Sequence, residues 1–157
     1  MQARWFRHLL NVYPPFLGAG IRVTHIAEDW RHVRVAMALR WYNRNAVGTH
    51  FGGSLFAMSD PFFMLMAMHN LGREYVVWDK GAEIDFVAPG RSQVTAEFTL
   101  SERELSEMRE QTRDGQKLER WLTAEIRGAD GAPVARVRRH LYVRRKRPAG
   151  SAGGRES

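Results

Sequence analysis

Asp60 is the single acid in the otherwise apolar stretch from Phe51 to Leu71, and it follows the glycine pair Gly52–Gly53. A carboxylate set among apolar side chains costs several kcal/mol unless it is paired, hydrated or functional, so Asp60 is the residue that needs a reason. The glycines suggest one. Backbone N–H groups at a helix start have no intrahelical acceptor, and with the helix dipole behind them they suit a developing oxyanion. Glycine also lets a ligand come close to that backbone. A carboxylate plus such a donor suffices for attack on an acyl carbonyl, the carboxylate serving as base for water or as nucleophile. On one continuous helix seven or eight residues are near two turns, so Asp60 falls close to the face of Gly53 and a ligand lying along the helix meets both.

Asn45, at the head of the loop N-A-V-G-T-H-F-G-G, can offer its side-chain amide to Asp60 or to a water beside it. Plainer roles are open to the same residues. Asp60 before Pro61 also suits a capping position at a helix break. Asn45 suits an Asx-type turn, and Thr49 or His50 a helix cap. The glycines suit a tight entry, and Met58, Met64, Met66 and Met68 suit core filling.

These residues need elements to hold them. The spacing of Trp5, Phe6, Leu9 and Leu10 predicts a short amphipathic helix over Ala3–Asn11, stopped by Tyr13-Pro14-Pro15. Strands are predicted over Ile21–Glu28 and Arg31–Arg40, joined as a hairpin. The apolar run predicts one buried helix from about Gly52 to Leu71, on the order of 30 Å long, with Gly72 as its cap. Strands then follow over Tyr75–Ala88 and Ser92–Leu100, and Pro89-Gly90 between them reads as a hairpin turn. Ser101 and Glu104 have the spacing of a capping box for a helix to Gln111. The last two strands are Leu118–Arg127 and Val134–Arg144, turning at Asp130-Gly131. An antiparallel sheet of about six strands curled round one all-apolar helix is an α+β architecture. One sheet does not cover such a helix completely, so a homodimer or homotetramer is expected. Residues 1–147 read as a single domain, and 148–157 as a disordered tail rich in Gly, Ala and Ser.

Composition narrows the function classes. With no cysteine in 157 residues there is no disulfide framework and no thiolate metal site, and no secretion signal is evident, so the cytoplasm is expected. His8, His25, His32, His69 and His140 lack paired ligand spacing, so no metal is expected. Asp60-Pro61 in the middle of the apolar run argues against a membrane span. The net charge of +7 favours anionic partners. No helix-turn-helix, zinc-finger or stacking-platform pattern supports nucleic acid. The basic run Arg136, Arg138, Arg139 and Arg144 to Arg147 reads as a solvated edge strand and tail, or as a surface attracting the phosphates of coenzyme A.

The order of elements, with Asn45, Gly48-Thr49, Gly52-Gly53, Leu55 and Asp60, resembles the hotdog-fold acyl-CoA thioesterases over Ile21–Val143. It is most similar to thioesterase-like hotdog proteins having H-F-G-G-S-L followed by D-P. The resemblance implies that Asp60 is the general base or nucleophile, that Gly52 offers its N–H to the thioester carbonyl, and that Asn45 belongs to the same centre. Relatives carry His directly before the glycine pair, whereas here Phe51 separates His50 from it. His50, Gly53, Asp79 and Lys80 are then expected to contact substrate, the last two in the region where relatives place a second polar residue. A second acid near Asp60 would raise one pKa by repulsion, and Lys80 would oppose that or meet a phosphate. No cofactor is consumed, since coenzyme A arrives within the substrate. A non-catalytic module that binds acyl groups or acyl-CoA is the alternative, with a dehydratase or hydratase using His50 and Asp60 behind it.

Overall fold

The computed structural model describes residues 2–146, and the tail expected over 148–157 lies outside them. Helices α1 (Ala3–Val12) and α2 (Pro14–Ala19) lead into strands β1 (Ile21–Ile26) and β2 (His32–Met37). Helices α3 (Gly52–Ala57) and α4 (Phe62–Leu71) follow, then β3 (Tyr75–Phe86), β4 (Val94–Thr99), α5 (Glu102–Gln111), β5 (Lys117–Arg127) and β6 (Pro133–Arg145). The six strands form one antiparallel sheet in the order β1-β2-β4-β5-β6-β3. Its concave face packs on α3 and α4 through a core including Val35, Met37, Met58, Phe62, Phe63, Met66, Phe98, Ile126, Leu141 and Val143. The expected α+β architecture is therefore present.

α1 stops at Val12 with Tyr13 as its cap, where Tyr13-Pro14-Pro15 was expected to stop it, and the two prolines then open a second helix. They occupy the first positions of α2, where a missing N–H costs nothing. Two expectations need larger correction. The central helix is not continuous: α3 ends at Ala57 and α4 begins at Phe62, with Met58–Pro61 between them and a cis peptide at Asp60-Pro61. Proline lacks an N–H and disfavours helical backbone in the residue before it, which locates the break at Asp60. Ser59 stabilises the break by donating its hydroxyl to Phe56 O (2.7 Å). The second correction concerns β3 and β4, which do not form a hairpin. β3 is an edge strand paired only with β6, whereas β4 lies between β2 and β5. The Pro89-Gly90 segment is a crossing rather than a hairpin turn. It is held where it leaves β3 by Val87 and Ala88 N–H groups on Val134 O (2.9 and 3.1 Å).

The two remaining hairpins, β1–β2 and β5–β6, form as predicted. So does the capping box of α5, in which Ser101 Oγ accepts from Glu104 N–H (3.2 Å) and Ser101 N–H donates to the Glu104 carboxylate (2.8 Å).

Candidate active site

β6 was expected to be a solvated edge, but it is an interior strand. Alternation puts Val137, Arg139, Leu141 and Val143 on its core face and Arg136, Arg138 and Arg144 on the other. Arg139 consequently sits inside, with its side chain only 6% exposed. A guanidinium in that position needs anions, and it has two. Its Nη2 donates to Asp60 Oδ2 at 2.6 Å and also to Asp79 Oδ2, while its Nε donates to the same Asp79 oxygen at 3.1 Å. Burial opposes the charge on Arg139, but the hydrogen bonds to Asp79 and Asp60 outweigh it and hold the pKa above the ordinary arginine value.

Asp79 shares the core face with Val77 by alternation, and a bulge follows it. The β3–β6 register pairs Asp79 with Leu141 and then Gly81 with His140, which leaves Lys80 as the extra residue. Val77 and Asp79 thus face the core on one side of the bulge, and Ala82 and Ile84 on the other. Lys80 does not join the cluster. Its Nζ donates to Glu119 (2.8 Å), so the counter-ion expected of Lys80 is supplied by Arg139 instead. Asp79 Oδ1 is buried with no hydrogen-bond partner among the described residues.

Asp60 is not the buried acid that its apolar surroundings in sequence suggested. At the break between α3 and α4 its side chain is 57% exposed. It borders an apolar groove of about 500 Å³ lined by Phe6, Leu10, Tyr13, Phe16, Pro61 and Leu65. The helices α1 and α2 form one wall of that groove and the helix break forms the other.

The remaining candidates lie elsewhere. Asn45, His50 and Gly52 border a second cavity, of about 420 Å³, with Phe86, Val87 and Pro89. Asn45 forms the Asx-type turn: its Oδ1 accepts from Val47 and Thr49 N–H (3.1 and 3.0 Å), and its amide donates to Thr49 Oγ1 and His50 O (2.8 and 3.3 Å). No hydrogen bond joins Asn45 to Asp60 among the described residues. The His50 ring is buried and held by Nε2 on Ser92 O (2.8 Å), an assignment that makes Nε2 the protonated nitrogen. Burial lowers its pKa, partly offset by that hydrogen bond. With Nε2–H donating, Nδ1 is a buried acceptor with no partner among the described residues.

The rings of Phe86 and Phe51, both exposed, lie close over Gly52 and Gly53. A Cβ on Gly52 would lie 2.8 Å from Phe86 Cζ, and one on Gly53 would lie 2.4 Å from Phe51 Cε1. Ser54 and Leu55 are the first α3 residues to donate, both to Phe51 O (3.0 and 3.2 Å), so the Gly52 and Gly53 N–H groups have no acceptor among the described residues.

A family model described as a domain of unknown function, DUF4442, matches residues 2–143. The chain belongs to the DUF4442 family. No functionally curated protein matches it. Solved structures similar to this DUF4442 chain include PA5026 from Pseudomonas aeruginosa, described as a protein of unknown function and probable thioesterase. It is 18% identical, with a TM-score of 0.82 over 92% of this chain and 97% of that one. The thioesterase HI1161 from Haemophilus influenzae is 17% identical, with a TM-score of 0.67 over 91% and 90% of the two chains. The thioesterase PA1618 from Pseudomonas aeruginosa is 14% identical, with a TM-score of 0.67 over 92% and 95%. The shared architecture is the hotdog fold that the sequence motifs pointed to.

In this DUF4442 chain the residue that sequence reasoning missed is Arg139. Its signal was present: Ala135, Val137, Leu141 and Val143 are apolar at alternate positions, and Arg139 occupies the middle of that series. The adjacent Arg138 concealed it inside an apparent basic run.

Proposed function

We propose that this protein hydrolyses acyl-CoA thioesters to the free acid and coenzyme A, with Asp60 as general base or nucleophile. The observation that carries this reading is a half-open carboxylate, fixed at one oxygen by Arg139, at the edge of an apolar groove formed by Phe6, Leu10, Phe16 and Leu65. An acyl chain matches such a groove in shape and polarity, and a thioester carbonyl at its mouth meets the acid. The structural relatives described as thioesterases support the same choice.

Gly52 N–H is the proposed oxyanion donor, with Asn45 holding the loop that presents it. Within one protomer Gly52 and Asp60 border different cavities, separated by the six-residue α3, which is about 9 Å long. Donor and acid would therefore come from different copies, and the proposed active form is a homodimer or a homotetramer built from one. The outer edge of β3, twelve residues long and without a neighbouring strand among the described residues, is a natural surface for the second copy. His50, Gly53 and Asp79 contribute positioning; coenzyme A enters only as part of the substrate.

A panel of acyl-CoAs assayed for thiol release tests this, and the absence of cysteine removes any background from the protein itself. Asp60→Asn is expected to abolish most of the release. Activity equal to the parent on every hydrolysed substrate would sink the role given to Asp60. One observation favours a second reading, a module that binds acyl-CoA without turnover: the Asp60 carboxylate is already engaged by the Arg139 guanidinium. Binding without thiol release, unaffected by Asp60→Asn, would select that reading.

A further inference from the structure

Helix α1 separates two cavities of opposite character. Phe6 and Leu10 face the apolar groove that holds Asp60, whereas Arg7, His8 and Asn11 face a larger groove of about 860 Å³ on the outer side of β1 and β2. Small residues line the larger groove: Gly20 and Thr24, with Ala36 of β2 and Ala38 just beyond it. Around it stand Arg7, Arg22, Arg40 and His8, together with the polar groups of Tyr42 and Gln93, and no carboxylate lines it.

On the sheet, Arg34 is paired with Glu97 (2.6 Å), Arg136 with Glu125 (3.0 Å) and Arg138 with Glu83 (2.8 Å). In the groove, Arg7 donates one bond to Thr24 O (3.0 Å), which fixes its head and leaves other donors unused. The Arg22 and Arg40 side chains make no ion pair among the described residues. Asn11 locks the wall in place, since its amide donates to Val23 O (3.0 Å) and its Oδ1 accepts from Val23 N–H (2.8 Å). Three guanidinium groups bordering one groove whose lining has no carboxylate suit the oxygens of a phosphate. The groove is larger than a bare phosphate requires, and Val12 and Leu17, both exposed, offer apolar contact to an organic body at its rim.

We infer that the groove between α1, α2 and the outer face of β1–β2 is a binding site for a phosphate ester, held by Arg7, Arg22 and Arg40. The site does not depend on the thioesterase reading, because it is tested by binding rather than turnover. Two sources carry this chemistry, a soluble nucleotide phosphate and a phospholipid headgroup.

The test titrates the full chain with adenosine 3′,5′-bisphosphate and, separately, sediments it with vesicles of phosphatidylglycerol or of phosphatidylcholine. The Arg22→Gln/Arg40→Gln variant is compared with Arg136→Gln/Arg138→Gln, which removes the same net charge from a region where arginines are paired. The parent is expected to bind at least one anionic probe, with affinity lowered tenfold or more by the groove substitutions and less than threefold by the control pair. Loss confined to the bisphosphate identifies a soluble phosphate ester; loss confined to phosphatidylglycerol vesicles identifies a headgroup. Failure of the parent to bind either probe overturns the inference, as does an equal loss in both variants or no loss in the groove variant. Matching unfolding midpoints for the two variants ensure that the comparison reads the groove and not the fold.

Discussion

The loop carrying Asn45 and His50 and the corner carrying Asp60 solve opposite problems. In the loop, both ends of the Asn45 side chain and the Nε2 of His50 are spent on backbone or neighbouring hydroxyl groups, so these residues hold shape. In the corner, Arg139 takes one oxygen of Asp60 and leaves a mostly exposed carboxylate beside an apolar groove. A side chain satisfied by its own loop serves as a post, and a side chain fixed at one atom and open at the rest is equipped to meet a ligand. By this criterion the proposed chemical role falls to Asp60, whereas Asn45 and His50 hold the glycine-bearing loop.

Substitutions can break or sharpen that contrast. The largest effect is expected from Arg139→Met, which strands Asp79 inside without a cation. Breaking a buried pair from one side costs about 3–5 kcal/mol, read as a lower urea midpoint. Next comes Asp60→Asn, for which thiol release should fall by about 100-fold or more. Its unfolding free energy should change by less than about 1 kcal/mol, because the carboxylate is largely solvated. If Asp60→Asn proved as destabilising as Arg139→Met, the corner would be a structural clamp like the loop. Asn45→Ala should show the reverse profile. Losing the turn is expected to cost about 1–3 kcal/mol, with a fall in kcat smaller than that of Asp60→Asn.

The smallest effect concerns pH. Burial depresses the folded-state pKa of His50, so below the ordinary imidazole value of about 6.5 the unfolded chain binds more protons than the folded one. Stability is therefore full above that value and declines as pH falls toward the folded-state pKa. Replacing His50 by Gln should flatten the part of the decline due to this ring. His69, also depressed mainly by burial, contributes with the same sign and remains. An unchanged slope in the His50 variant would show that the ring is not the titrating post.

Much of this was readable from residue patterns because local chemistry decided it. Ser101 and Glu104 specify a helix start wherever they are placed, and short links between alternating strands specify the β1–β2 and β5–β6 hairpins. Asn45 and Asp60 were legible as residues needing a role. What local patterns could not supply was which strand neighbours which. Pro89-Gly90 signals a change of direction equally well for a hairpin and for a crossing, and only the packing of β4 between β2 and β5 distinguishes them. The same limit hid the Arg139 cluster, because its three members come from the helix break, the β3 bulge and the core face of β6. The helix break was visible as Asp60-Pro61, but the strong apolar run around it spoke for continuity.

The strand order also fixes a sequence of events in time. β3 finds its strand partner only in β6, and the cation shared by Asp60 and Asp79 lies 79 and 60 residues after them. As the chain is synthesised, both acids and the whole ladder of β3 emerge long before anything can neutralise or pair with them. Closure of this corner has to wait for β6, the last of the strands to be synthesised. Until it happens, a nascent chain shows an open strand edge to its surroundings. A truncation that ends before Arg139 would keep most of the core residues, but β3 would keep only its pairing over Glu83–Phe86, and Asp60 and Asp79 would have no cation.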